Sequence, residues 1–408
     1  MSASDQMQCP HIVRNKRIVR AAKVLLKPLV GRLLHFKVTP YEPKAPAVLV
    51  LANHTHAADP VMLLLSFKPF VRLCSNEYLM RMAGIGTFLT WAIDPLVKRR
   101  GASSDSMVEA VLGTLRQGVS VAMHPEGRMS ATGQTGYIGI RNAQLAQQAA
   151  RESGAGLVTY RFSGGFFCQP RWATTLRWGT VRGAVVREYA PEELLAMTEE
   201  ELHRAICADL WQDAYEDLKA HPDPIRGKNF AERVENQLYL CPSCLGFGEM
   251  RSQGDALNCA CGLSATMDEY CRFESRNPFE NLLAWDTWQR EYVASHAAEW
   301  KSHDSVIVTS TVEKVAVQPP RVESQAGSSA AAAGIHERCT LIVQGSGLAI
   351  SSPDGWHAEA SWPEISHMAT SGKTRLAMTM GDSYLVVFGS ESWCPGMVFD
   401  LYQALRDA

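Results

Sequence analysis

Hydrophobic and polar positions change their pattern twice along the chain. Over 11–36, apolar residues (Ile18, Val19, Ala22, Leu25, Leu26, Leu29, Val30, Leu33, Leu34) interleave with basic ones. That spacing predicts a basic amphipathic helix, with a kink or restart near Pro28. From about 40 to 220, short continuous apolar runs alternate with longer stretches of helical period. Strands are predicted over 45–51, 120–123, 156–162 and 180–186, and helices over 106–117 and 140–151. Such alternation predicts an α/β domain. A charged helical region follows from 190, and a further helix is predicted over 281–300.

Beyond 304 the runs DSVIVTSTVEKVAV, CTLIVQ, GLAISS and SYLVVFG predict strands, closed by a helix over 395–406. Several strands and one final helix suggest a small β-barrel of pleckstrin-homology type. Between the first two runs, QPPRVESQAGSSAAAAG has few structure-forming residues and reads as a flexible loop near 318–336. The chain of 408 residues therefore divides into a basic N-terminal helix region (1–39), an α/β domain (40–220), a cysteine-bearing segment with flanking helices (221–300) and a β-rich module (301–408).

Composition sharpens this picture in two ways. A net charge of −2 with 20% charged residues argues against a nucleic-acid binder. The charge is uneven, however. Arg14, Lys16, Arg17, Arg20, Lys23, Lys27, Arg32 and Lys37 stand with no acid between Asp5 and Glu42. This face suits either a membrane surface or a solvated helix capping the core. The N-terminus lacks the shape of a signal peptide, and no apolar run approaches the roughly 18 residues of a spanning helix. A cytoplasmic protein held peripherally at the inner face of a membrane is expected.

Chemistry concentrates first at Asn53-His54-Thr55-His56-Ala57-Ala58-Asp59-Pro60, directly after a buried-strand run. His-x-His with a nearby Asp evokes the metallo-β-lactamase hydrolases. Their Asp falls four residues after the first His and is followed by another His; here those places hold Ala58 and Pro60. A general-base pair is the second possibility. Asp59 at a helix N-cap with Pro60 at the first helical position turns the chain back toward His54. Asp59 would then hold one ring nitrogen protonated and leave the other to take a proton from a hydroxyl. Plain helix capping is the third.

About seventy residues on, after SVAM, stands His124-Pro125-Glu126-Gly127-Arg128-Met129-Ser130. Glu126 in such a turn could accept from hydroxyls, and Arg128 could meet a phosphate bidentately. The two motifs, in this order, resemble the glycerolipid acyltransferase family typified by 1-acylglycerol-3-phosphate acyltransferase. That family carries Asn-His-x4-Asp and then Phe-Pro-Glu-Gly-Thr-Arg-Ser. AGIGTFLTWAIDPLVKRRG occupies the place of its Gly-rich block, ending in Arg99 and Arg100, and GLVTYRFSGG loosely matches a fourth block. The resemblance covers about 40–190. It implies His54 as general base, Asp59 as its orienting partner, and Arg99, Arg100, Glu126, Gly127 and Arg128 at the acceptor headgroup. It further implies acyl transfer from acyl-CoA or acyl-carrier protein to a lysophospholipid hydroxyl, with no metal or redox cofactor in the chemistry. This chain departs from the pattern at two points: its Arg stands one place early with no Thr, and His124 replaces Phe. His56 has no family role.

The chain has 11 cysteines, four of them clustered in LCPSCLGFGEMRSQGDALNCACG. Cys241-x2-Cys244 and Cys259-x-Cys261 suit a structural zinc ribbon, with Cys271 a spare thiol. Three functional readings stay open: a membrane-surface acyltransferase, a non-catalytic lipid- or protein-binding scaffold of the same fold, and a metal-dependent hydrolase using His54, His56 and Asp59.

Overall fold

The computed structural model describes residues 12–33, 35–76, 85–98, 104–274, 277–318 and 334–408. It divides into two compact units: 1–171 with 177–226, and 227–408 with the short segment 172–176.

The first unit runs α1 (Ile12–Leu33), β1 (Lys37–Val38), β2 (Val48–Ala52), α2 (Asp59–Ser66), β3 (Val71–Asn76), α3 (Ile85–Ile93), β4 (Leu96–Lys98), α4 (Ser104–Arg116), β5 (Ser120–Met123), α5 (Arg141–Ser153), β6 (Gly156–Ser163), α6 (Gly165–Cys168), β7 (Arg182–Tyr189), α7 (Pro191–Ala196), α8 (Glu199–Leu210) and α9 (Ala214–Ala220). Its sheet has the order β1-β7-β6-β2-β5-β3-β4. Strands β6, β2, β5, β3 and β4 are parallel, and β7 joins β6 antiparallel. Parallel strands need both faces covered, which is why β2 reads as an unbroken apolar run. Leu49 and Leu51 face one cluster with Leu112, Leu115, Leu145 and Leu202. Val48, Val50 and Ala52 face the other with Val19, Met62, Leu63 and Ile93. A mixed α/β unit with a largely parallel sheet results.

Strand β3 carries Arg72 at 0% exposure, paired with Asp94 at 2.8 Å and Thr114 at 3.0 Å. Burial of that charge is tolerable only because it is fully paired. Helix α1 runs continuously through Pro28, where a kink or restart was expected. One of its lysines is half-buried and anchored: Lys23 Nζ donates to the carbonyls of Phe67, Lys68 and Pro69 at the end of α2. Lys16, Arg17 and Arg20 point outward. Among the described residues no helix is long and apolar enough to cross a membrane.

The second unit begins with a 3-10 turn (Val234–Asn236) and a small antiparallel sheet, β10-β9-β8, of β8 (Met250–Gln253), β9 (Ala256–Cys259) and β10 (Ser264–Thr266). Helix α10 (Leu282–Ser302) leads to β11 (Val306–Gln318), β12 (Gly334–Gln344), β13 (Gly347–Ser351), β14 (His357–Ser361), β15 (Ile365–Ser371), β16 (Arg375–Met380), β17 (Ser383–Phe388) and α11 (Pro395–Asp407). The loop expected at 318–336 falls largely on 319–333, outside the described residues. The sheet order is β14-β13-β12-β11-β17-β16-β15, antiparallel throughout.

The expected closed barrel is therefore corrected to an open sheet. Its edge strands β14 and β15 are joined by a capped 3-10 turn (Trp362–Glu364) rather than by a hydrogen-bonded ladder. Helix α11 covers the apolar face with Met397, Val398, Leu401, Tyr402 and Leu405, and Tyr402 donates to Ile365 O at 3.0 Å. An apolar helix thus buries what strand closure would otherwise have to bury.

Candidate active site and a four-cysteine centre

Strand β2 lies between β5 and β6, and its C-terminal end delivers Asn53 and His54. Asn53 is fastened to β6: its Nδ2 donates to Phe162 O at 2.9 Å and its Oδ1 accepts from Phe162 N at 2.7 Å. The loop then turns into α2, whose first residue is Asp59, with Ala58 at the N-cap. This corrects the expected N-cap role. The carboxylate reaches backward, and its Oδ2 accepts from the backbone N–H of Thr55 (2.6 Å) and His56 (2.8 Å) and from His54 Nδ1–H (3.0 Å). A carboxylate can only accept, so His54 carries its proton on Nδ1 and presents a lone pair on Nε2. Nε2 has no hydrogen-bond partner among the described residues, and the His54 side chain is 18% exposed.

His56 has a structural place in this turn. It is buried, and its Nδ1 accepts from Ala58 N at 3.0 Å, which tightens the same turn. Gln169 Oε1 accepts from Ala57 N at 3.1 Å. Gly165 packs so closely here that a Cβ would lie 2.4 Å from Thr55 Oγ1.

Strand β5 delivers the second motif. Its register with β2 sets Leu51 beside Met123, so His124 follows level with Ala52. The His124 and His54 rings stack, 4.2 Å between centroids and 17° between planes. Glu126 turns inward: Oε1 accepts from His54 N (2.7 Å) and Oε2 from Gly136 N (2.5 Å). It is a clamp on the backbone that carries His54. Gly127 holds φ +70°, a turn conformation costly for other residues, and Ser130 N donates to His54 O at 2.8 Å. Arg128 is exposed beside this turn. Arg99 and Arg100 lie outside the described residues.

Burial dominates the electrostatics. It pushes His54 down to about 4 and His124 down to about 4, so both rings are neutral at pH 7. Burial raises Asp59 to about 6 against the pull of His124 and of its backbone donors, and raises Glu126 to about 7. A neutral imidazole backed by an ionised carboxylate is a competent general base.

In the second unit, the sulfurs of Cys241, Cys244, Cys259 and Cys261 all lie within 4.8 Å of one another. Two of the separations are 3.7 and 3.8 Å. Four thiolates at ~2.3 Å around one tetrahedral ion would stand about 3.8 Å apart, so the cage fits zinc. Each pair sits on a tight turn: Leu245 N donates to Cys241 O at 2.9 Å, and Gly262 N donates to Cys259 O at 3.0 Å. Among the described residues this is the one group of three or more His, Cys, Asp or Glu side chains that could hold a metal; His54, His56 and Asp59 do not form one.

No curated protein matches the chain. Among solved structures, the crystal structure of the 1-acyl-sn-glycerophosphate (LPA) acyltransferase PlsC from Thermotoga maritima is similar at 19% identity and a TM-score of 0.42, over 52% of this chain and 85% of that one. Residues 35–163 match the family model Acyltransferase, and that acyltransferase-type segment begins before β1, ends with β6 and includes both the His54–Asp59 pair and the Glu126 turn.

Proposed function

We propose that the first unit transfers a fatty acyl group from a thioester, acyl-CoA or acyl-carrier protein, to the hydroxyl of a lysophospholipid such as 1-acylglycerol-3-phosphate. The observation that carries this reading is the His54 Nδ1–Asp59 Oδ2 bond of 3.0 Å, lying within the matched segment and leaving Nε2 free to accept a proton. The acceptor hydroxyl gives its proton to Nε2 as its oxygen forms a bond to the thioester carbonyl carbon. The C–S bond then breaks, and the departing thiolate takes the proton back from the imidazolium. Asp59 keeps the ring oriented and stabilises its transient charge. Arg128, with Arg99 or Arg100, would meet the acceptor phosphate.

Two further readings go with this one. The four cysteines would hold a structural zinc, which ties two turns together and supplies no step of the transfer. The outward face of α1 carries Lys16, Arg17, Arg20 and the exposed Val24, and Arg14 of the same helix sits 5.9 Å over the ring of the exposed Trp91. A basic face with an exposed tryptophan suits the headgroup layer of an anionic membrane.

The test is thiol release from both donors against a panel of lysophospholipids and polyols. Transfer that disappears in His54→Ala and persists in His56→Asn, which keeps an acceptor for Ala58 N, supports the proposal. Absence of turnover on every acceptor would leave a scaffold, and loss of a second bound metal on His56→Asn would indicate a hydrolase.

A further inference from the structure

We propose that His124 is a positioning residue for His54, acting as a plate hydrogen-bonded to the strand end from which His54 projects. This rests on the acyl-transfer reading of the same site. Three observations carry it. The His124 ring lies 4.2 Å from that of His54 and nearly parallel to it. Its Nδ1–H is shared between Ala52 O at 3.0 Å and Asn53 O at 2.9 Å, the carbonyls of the two residues just before His54. Behind it stands Phe162, 6.5 Å away, whose backbone is bonded at both ends to the Asn53 amide.

These contacts make one closed frame. Asn53 ties β2 to β6, His124 ties β5 to β2, and the stacked ring leaves His54 little freedom about the bond that aims Nε2. An imidazole with one face covered and Nδ1 held by Asp59 cannot swing without losing both contacts. A phenyl ring in the place of His124 would supply the plate but no N–H, so it would be free to slide along the strand end. The imidazole therefore does two things there: it stacks, and it fixes where the stack sits. Proton transfer is steep in distance and angle, and a misplacement of about 1 Å costs roughly 100-fold.

The experiment compares His124→Phe, His124→Gln and His124→Ala, with steady-state kinetics and 15N NMR of the histidine rings. His124→Phe keeps the plate, His124→Gln keeps a donor, and His124→Ala keeps neither. The expected order of kcat is wild type, then His124→Phe lower by about 3- to 10-fold, then His124→Gln, then His124→Ala lower by about 100-fold, with KM within threefold throughout. The low-field proton of His54 Nδ1–H should weaken in the same order. His124→Ala with kcat within threefold of wild type, or equal losses in His124→Phe and His124→Gln, would overturn the proposal. Should His124→Ala fail to fold, the order of the other two still decides. The NMR signal needs no turnover: an inactive wild type with the expected signal order would count against acyl transfer and leave the positioning role standing.

Discussion

Replacing Asp59 by Asn separates what the carboxylate does for chemistry from what it costs the fold. The amide is nearly isosteric, and its oxygen in the Oδ2 place accepts from Thr55 N, His56 N and His54 Nδ1 as before. Its NH2 group occupies the place of Oδ1, which has no partner among the described residues. What is lost is the negative charge 3.0 Å from a ring that, under the proposed acyl transfer, becomes cationic in the transition state. At an effective dielectric of about 20 the full attraction is ~5 kcal/mol, and with partial charge transfer about 2–4 kcal/mol is lost, so kcat should fall roughly 30- to 1,000-fold. Stability should move the other way. Burial raises folded Asp59 to about 6, against 3.8 for an ordinary aspartate. Its carboxyl therefore favours folding below pH ~4 and loses that contribution as pH rises through about 6. At pH 8 the deficit is at most about 3 kcal/mol, so the variant should melt up to roughly 6–12 °C higher. Thiol release at saturating acceptor and a thermal melt at pH 8 measure both. The wild-type rate should also fall as pH drops through about 6, whereas the variant should show no such limb. A variant within tenfold of wild type in kcat, or one that melts lower, would refute the reasoning.

Three other outcomes follow from the same geometry. Gly165→Ala should lower kcat at least 100-fold with the fold retained, as read by kinetics and circular dichroism, because its Cβ would lie 2.4 Å from Thr55 Oγ1 and displace the loop. Asn53→Ala strips both bonds to Phe162 and leaves a buried N–H and C=O unpaired, a loss of about 2–4 kcal/mol in a denaturant titration. Elemental analysis should find one zinc per chain, lost together with the stability of the second unit in Cys259→Ser; a metal-free protein that melts unchanged would remove the zinc reading.

Much of this molecule was legible where one residue's burial follows from its neighbours in sequence. Strand β2 announces itself because both faces are covered and every position is apolar, and β5 and β6 show shorter buried apolar runs, VA and GLV. β3 was hidden by Arg72, whose burial depends on Asp94, 22 residues away. Strands β14 to β16 were hidden in part because short strands with one wetted face, such as HAEAS, look like loops. At the site, His54 and Asp59 are five residues apart, and a local turn was enough to suggest their pairing. The inward clamp of Glu126 and the stacking of His124 were out of reach. Both depend on the β2–β5 register, which no local pattern encodes. His56 looked dispensable because its role is to accept a single backbone proton.

The parallel arrangement of β5, β2 and β6 has a consequence for how this chain can change. All three strands point their carboxyl ends at the same place, so His124, His54 and the Phe162 anchor sit at one end of the sheet. The turns that feed those strands, around Gly118 before β5 and Gly154 before β6, lie at the other end. Lengthening either turn should leave the His54–Asp59–His124 geometry intact, whereas a single added residue after β2 or β5 would throw one motif out of step with the other. The fold thus offers one end to insertion, fusion or labelling and keeps the other under strict dimensional control.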